Sequence, residues 1–91
     1  MRPRVHLPST TVLRIFESTA RHLSFTRAAD ELFLTQSAIS KQIKTLEDQI
    51  GRALFIRLNR GLALTQVGET YWREIAPLLA ALESATERVI D

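Results

Sequence analysis

The 91 residues contain no cysteine, which excludes disulfide staples, thiolate metal sites and a cysteine nucleophile. The two histidines, His6 and His22, have no thiol to join them. A metal centre therefore lacks ligands, and His22 reads as a helix-end or surface residue. No apolar run approaches the roughly 20 residues that cross a bilayer. The opening stretch MRPRVHLPSTT has arginines without a hydrophobic segment behind them, so it does not read as a secretory signal and a cytoplasmic protein is expected. No glycine-rich phosphate loop is present, and Glu83 and Glu87, one turn apart, have no nearby nucleophile. An enzyme is the least favoured class, and neither cofactor nor metal is expected. The length allows one compact domain with a single modest core and no additional substrate domain.

What the chain does have is an uneven charge. Its net charge is +2, but residues 1 to 65 hold ten Lys and Arg against five acids, whereas residues 66 to 91 hold Arg73 and Arg88 against five. Such a division suits a nucleic-acid-binding head (1–65) followed by a non-binding extension (66–91).

Within the basic part, SFTRAADELFLTQSAISKQIKTL (Ser24 to Leu46) reads as two short helices joined by a tight turn. Ser24 caps the first, which runs through Arg27, Ala28, Ala29 and Leu32. The two alanines permit close approach to a partner helix, and Phe25 and Leu32 face the core. Phe33 and Leu34 make an apolar turn. Thr35 caps a second helix expected over 36–50, with Gly51 as its stop. Ile39, Ile43, Leu46 and Ile50 recur at spacings of four, three and four and turn inward. The opposite face carries Gln36, Ser37, Ser40, Lys41 and Lys44. Gln can bond an adenine edge bidentately, Ser suits either base type, and Lys reaches guanine or phosphate. Recognition helices use their N-terminal residues in this way. A plain solvated face would look the same in isolation; the preceding small-residue helix and the wing described below argue for DNA.

Upstream, Pro8-Ser9-Thr10 starts a scaffold helix with Leu13, Phe16 and Ala20 on one face, closing a three-helix core. Downstream, Leu54-Phe55-Ile56-Arg57 and Leu62-Ala63-Leu64-Thr65 flank a turn near Asn59 to Gly61, the pattern of a two-stranded hairpin. Beside a helix-turn-helix it reads as a wing over 57–61, whose Arg60 can enter a narrow minor groove. Ser24, Thr26, Arg27, Thr35 and Thr65 lie at helix starts suited to phosphate oxygens, and Lys44 and Arg57 add cations to that set.

In the extension, Tyr71, Ile75, Leu78, Leu82, Ala85 and Val89 form a heptad seam. A long helix with that stripe needs a partner, although packing on its own head is the alternative. Trp72 and Leu79 lie to one side and would dock the helix on the head or widen the interface. Pro77 predicts either a kink or two separate helices.

From Ser24 to Glu69 the chain resembles the N-terminal winged helix-turn-helix of LysR-type transcriptional regulators. Their pattern runs S-F-T-x-A-A-x-x-L, T/S-Q-x-x-[VI]-S-x-x-I-x-x-L-E, G-x-x-L-F-x-R, then L-T-x-x-G. ARHLSF and RLNRGLALT are similar to the branch that includes glycine-cleavage and β-lactamase regulators. The resemblance implies a mainly α fold: three helices, a β-hairpin wing and a long linker helix through which two copies pair antiparallel. It implies that Gln36, Ser37, Ser40 and Lys41 face the major groove and Arg60 the minor groove of double-stranded DNA. Ser37 stands where many members have proline and Lys41 where many have arginine; lysine lacks the guanidinium fork, so a phosphate or single-bond contact is expected there. The implied role is bacterial transcriptional control from an interrupted palindrome near a promoter, acting indirectly on RNA polymerase. Members also carry an effector-sensing domain outside these residues, so the chain is expected to be a DNA-binding fragment.

Overall fold

A computed structural model describes residues 7–90. Residues 1–6, with Arg2, Arg4 and His6, and residue Asp91 lie outside the described part, and with them much of the stretch read for a signal. Four helices and one hairpin follow in the order α1 (Thr10–His22), α2 (Phe25–Leu32), α3 (Gln36–Ile50), β1 (Phe55–Arg57), β2 (Leu62–Leu64) and α4 (Gln66–Ile90).

Local chemistry sets the helix starts where the sequence places them. Ser9, Ser24 and Thr35 each accept from an amide three residues on, those of Val12 at 3.2 Å, Arg27 at 3.1 Å and Ala38 at 3.1 Å. Gly51 ends α3 in the left-handed region, with its N–H on the Glu47 carbonyl at 2.7 Å. The other two ends carry no such signal: Leu23 and Phe33 close α1 and α2 at φ of 51° and 57°. A side chain in that region costs roughly 1–2 kcal/mol. Each is offset by a capping bond, from Leu23 to the Thr19 carbonyl and from Phe33 to that of Ala29.

The core gathers Ile15, Phe16 and Ala20 of α1, Ala28 and Ala29 of α2, Ile39, Ile43 and Leu46 of α3, and Leu54, Phe55 and Leu62 of the wing. Phe16 is fully buried at its centre, edge-on to Phe55 at 5.7 Å and tilted against Tyr71 at 5.3 Å. Two expected core positions differ. Ile50, on the last turn of α3, is exposed because the chain leaves the helix there and Leu54 fills the core instead. Leu13 is only half-buried, while Ile15 takes the inward position on α1.

The hairpin is antiparallel, pairing Phe55 with Leu64 and Arg57 with Leu62. Its root is fastened to α3 by Glu47, whose carboxylate accepts from the amides of Leu54 at 2.7 Å and Phe55 at 3.2 Å. α4 is one continuous helix with Pro77 inside it, not two; Pro77 and Arg73 both lie on its exposed side, where water can serve the carbonyl that proline leaves without a donor. α4 starts by contact with the wing root. Gly68 lies against the Leu54 backbone, and Val67, Tyr71 and Trp72 pack on the core. Further along, Leu79 is buried and Glu83 lies 3.8 Å from Arg14 of α1.

Candidate nucleic-acid interface

The outer face of α3 is built by subtraction. Three of its residues are committed to the core, so Gln36, Ser37, Lys41 and Lys44 are left exposed. Gln36 and Ser37 occupy the first turn and Lys41 the second, the end that a groove-inserted helix presents to base edges. Lys44 pairs with Asp48 one turn on, at 3.0 Å in an exposed setting, which competes weakly with any phosphate.

Ser40 stands apart from this row. It is half-buried, and its hydroxyl accepts from Nη2 of Arg57 at 3.0 Å. The same guanidinium lies over the Phe25 ring, 4.9 Å from its centroid. Arg57 thus ties the wing to both helices of the pair. Sequence patterning offers no signal for this latch, because it joins residues seventeen positions apart.

Arg60 is exposed in the turn between the strands, next to Gly61 at φ 83°. Thr26 and Arg27 are exposed on the first turn of α2. Among the described residues Arg27, Lys41, Arg52 and Arg60 make no ion pair, so their charge is available; Arg52, just past α3, has no role in the sequence reading. The hydroxyls of Ser24, Thr35 and Thr65 are already engaged. The first two cap helices, and Thr65 donates to the Ala53 carbonyl at 2.8 Å while accepting from the Gly68 amide at 2.9 Å.

Of the seam residues, Tyr71 lies on the head's own core, where burial raises its phenol pKa, and Ile75 is half-buried. Leu78, Leu82 and Val89 are exposed, with Ala85 half-covered between them.

A polar cluster joins α1 to α2. Arg21 forks onto both oxygens of Glu31, at 2.8 and 2.6 Å, and its Nε reaches Glu17 at 3.1 Å. The buried Ser18 hydroxyl donates to Glu31 at 2.6 Å, and His22 Nε2 lies 3.2 Å from it. The Arg21 fork first, then Ser18, lowers the Glu31 carboxyl from 4.5 to about 2, while the bonds to Glu31 and then Glu17 raise Arg21. A depressed carboxyl stabilises the fold fully above its unfolded value and progressively less below it. The stability advantage of the native chain over Glu31→Gln is therefore expected to be constant above pH 4.5 and to shrink as pH falls toward 2. Urea unfolding of both proteins across that range measures it; an advantage independent of pH contradicts the assignment.

A family model described as "Bacterial regulatory helix-turn-helix protein, lysR family" matches residues 10–69, from α1 into the first turn of α4. The chain belongs to that family. Its helix pair, hairpin and following helix are the LysR-type winged helix-turn-helix DNA-binding domain with linker helix. The chain is 52% identical over 83 residues to the glycine cleavage system transcriptional activator of Escherichia coli (strain K12), covering 91% of this chain and 27% of that protein. It is 61% identical over 67 residues to the HTH-type transcriptional activator AmpR of Pseudomonas aeruginosa, covering 74% of this chain and 22% of that one. The crystal structure of the BenM_DBD/catB site 1 DNA complex superposes with a TM-score of 0.83 at 31% identity, covering 92% of this chain and 98% of that one. This LysR-family chain thus spans about a quarter of the length of the curated relatives it matches. No helix among the described residues is long and apolar enough to cross a membrane.

Proposed function

We propose that this LysR-family domain binds double-stranded DNA sequence-specifically as a homodimer, with α3 in the major groove and the wing at the minor groove. The observation that carries the reading is the row of exposed Gln36, Ser37 and Lys41 on the first turns of α3, flanked by the wing arginines, on a helix whose other face is buried. Gln36, Ser37, Ser40 and Lys41 read base edges, Ser40 from within its bond to Arg57. Thr26, Arg27, Lys44 and Arg57 hold phosphates, helped by the amides at the helix starts marked by Ser24, Thr35 and Thr65. Residues 1–65 act as the head and 66–91 as the linker, through which Ile75, Leu78, Leu82, Ala85 and Val89 meet a second copy and Tyr71 anchors the seam to the head. The setting is a bacterial cytoplasm, the target an interrupted palindrome, and the effect on RNA polymerase indirect. No catalytic step belongs to it.

The test is selection from a random duplex pool, with fluorescence-anisotropy titrations at several salt concentrations. A two-fold-related motif with half-sites about one helical turn apart, and affinity falling steeply with salt, is expected. Salt-sensitive binding without enrichment contradicts specific reading; no binding contradicts the whole proposal.

Arg60→Ala is expected to weaken sites with A·T-rich flanks by about tenfold and G·C-rich ones less, because the narrow A·T groove concentrates negative potential. Equal losses on both flanks would remove Arg60 from the minor groove.

A further inference from the structure

α4 runs antiparallel along α1. Tyr71 meets Phe16, Trp72 meets Glu17, and Glu83, later in α4, meets Arg14, earlier in α1. The head therefore meets the linker helix along α1 as well as at the wing root, where Gly68 lies against Leu54. Much of that seat is apolar, made by Phe16, Tyr71, the Trp72 ring and Leu79. Apolar contact is non-directional and tolerates small rotations; hydrogen bonds do not.

Beside the exposed ion pair of Arg14 with Glu83 at 3.8 Å, one hydrogen-bonded chain crosses the seat. The Trp72 indole N–H donates to Oε2 of Glu17 at 3.3 Å, and the same oxygen accepts from Nε of Arg21 at 3.1 Å. Arg21 then forks onto Glu31 in the last turn of α2, and the buried Ser18 hydroxyl holds Glu31 from the other side. A continuous run of directional bonds thus joins α4 to α1 and α1 to the first helix of the helix-turn-helix. Trp72 is the only tryptophan in the chain, and Phe16, Tyr71 and Leu79 do not supply a second directional bond at this point. Partly exposed polar bonds of this kind add modest net stability, so their larger effect is on geometry.

We propose that Trp72 and Glu17 are positioning residues: their hydrogen bond, continued through Arg21 to Glu31, fixes the angle of the head on the linker helix and thereby the half-site spacing that a DNA-bound pair accepts. The proposal rests on the homodimer reading above. If two heads are joined through the outer half of α4, a rotation at each seat moves both α3 helices relative to one another. Each base pair added between half-sites also turns and displaces one groove relative to the other. A rigid seat admits one spacing and a loose seat several.

The experiment uses the 91-residue chain and duplexes bearing the half-site recovered by selection, either single or as inverted pairs with the spacer varied one base pair at a time over about one helical turn. Trp72→Phe keeps an aromatic ring without the N–H, and Glu17→Ala removes the acceptor. In both, the preference for the best spacing over its neighbours is expected to fall about three- to tenfold, the worth of one hydrogen bond. Affinity for the single half-site should stay within about twofold, since no DNA-facing residue changes. Glu17→Gln, whose amide oxygen still accepts from the indole, should retain the native profile. A native spacing profile in Trp72→Phe and Glu17→Ala overturns the inference, as does an equal loss on single and paired sites. A flat profile in the unsubstituted chain overturns the homodimer reading itself, and the inference with it.

Discussion

Replacing Gly68 with alanine is expected to lower the thermal midpoint by roughly 12–24 °C, reflecting about 3 kcal/mol of overpacking. A Cβ at this position would stand 2.0 Å from the carbonyl oxygen of Leu54, 2.9 Å from its carbonyl carbon and 3.1 Å from its Cα. All three are backbone atoms, and that backbone is held from several directions. The Leu54 amide donates to Glu47, its carbonyl accepts from the Thr65 amide at 3.0 Å, and its side chain is fully buried. Backing α4 away would pull Tyr71 from Phe16 and the Gly68 amide from Thr65. Gly51 makes the control: a Cβ there meets nothing within 4 Å, so Gly51→Ala carries only the strain of φ 81°, about 1 kcal/mol. Thermal unfolding followed by circular dichroism decides it. A Gly68→Ala protein melting within about 4 °C of the native chain contradicts the packing account.

Leu82→Glu is expected to cut affinity for a paired site by about 100-fold while leaving a single half-site unaffected. Linking two heads makes the second docking event intramolecular, and the avidity lost with the link is of that size. Leu78, Leu82 and Val89 are 64%, 51% and 85% exposed, an apolar stripe that the head does not cover. Tyr71 begins the same heptad on the inside, so one face of α4 serves the head first and the proposed partner afterwards. Because Leu82 is an exposed position, the variant should fold with little change in melting. Anisotropy on both duplexes, with sedimentation of the DNA-bound protein, separates the cases. A Leu82→Glu protein that keeps its paired-site affinity and still sediments as a dimer removes this stripe from the interface.

Much of the fold was legible because its signals are local. Ser9, Ser24, Thr35 and Gly51 act on amides or carbonyls within four residues, and the period of Ile39, Ile43 and Leu46 marks the buried face of α3 without reference to any other element. The hairpin was visible as two apolar runs around a glycine-containing turn. Legibility failed where the deciding partner is distant in sequence. Ile50 continues the α3 period but lies beyond the reach of α1 and α2, and Leu23 and Phe33 adopt left-handed caps that nothing in their chemistry announces. At the interface, the exposed row on α3 could be read from periodicity, whereas the bond from Arg57 to Ser40 and the fastening of the wing root by Glu47 depend on tertiary proximity. The Trp72 to Glu17 bond spans fifty-five positions and was the least visible of all.

Selection from random duplexes with the native chain and with Gln36→Ala side by side decides whether the first turns of α3 read bases. The native chain should select a palindromic motif, and Gln36→Ala should lose about 1–3 kcal/mol of discrimination at one position in each half-site, with the remaining positions intact. Identical motifs from the two proteins, or a uniform weakening at every position, would contradict that reading.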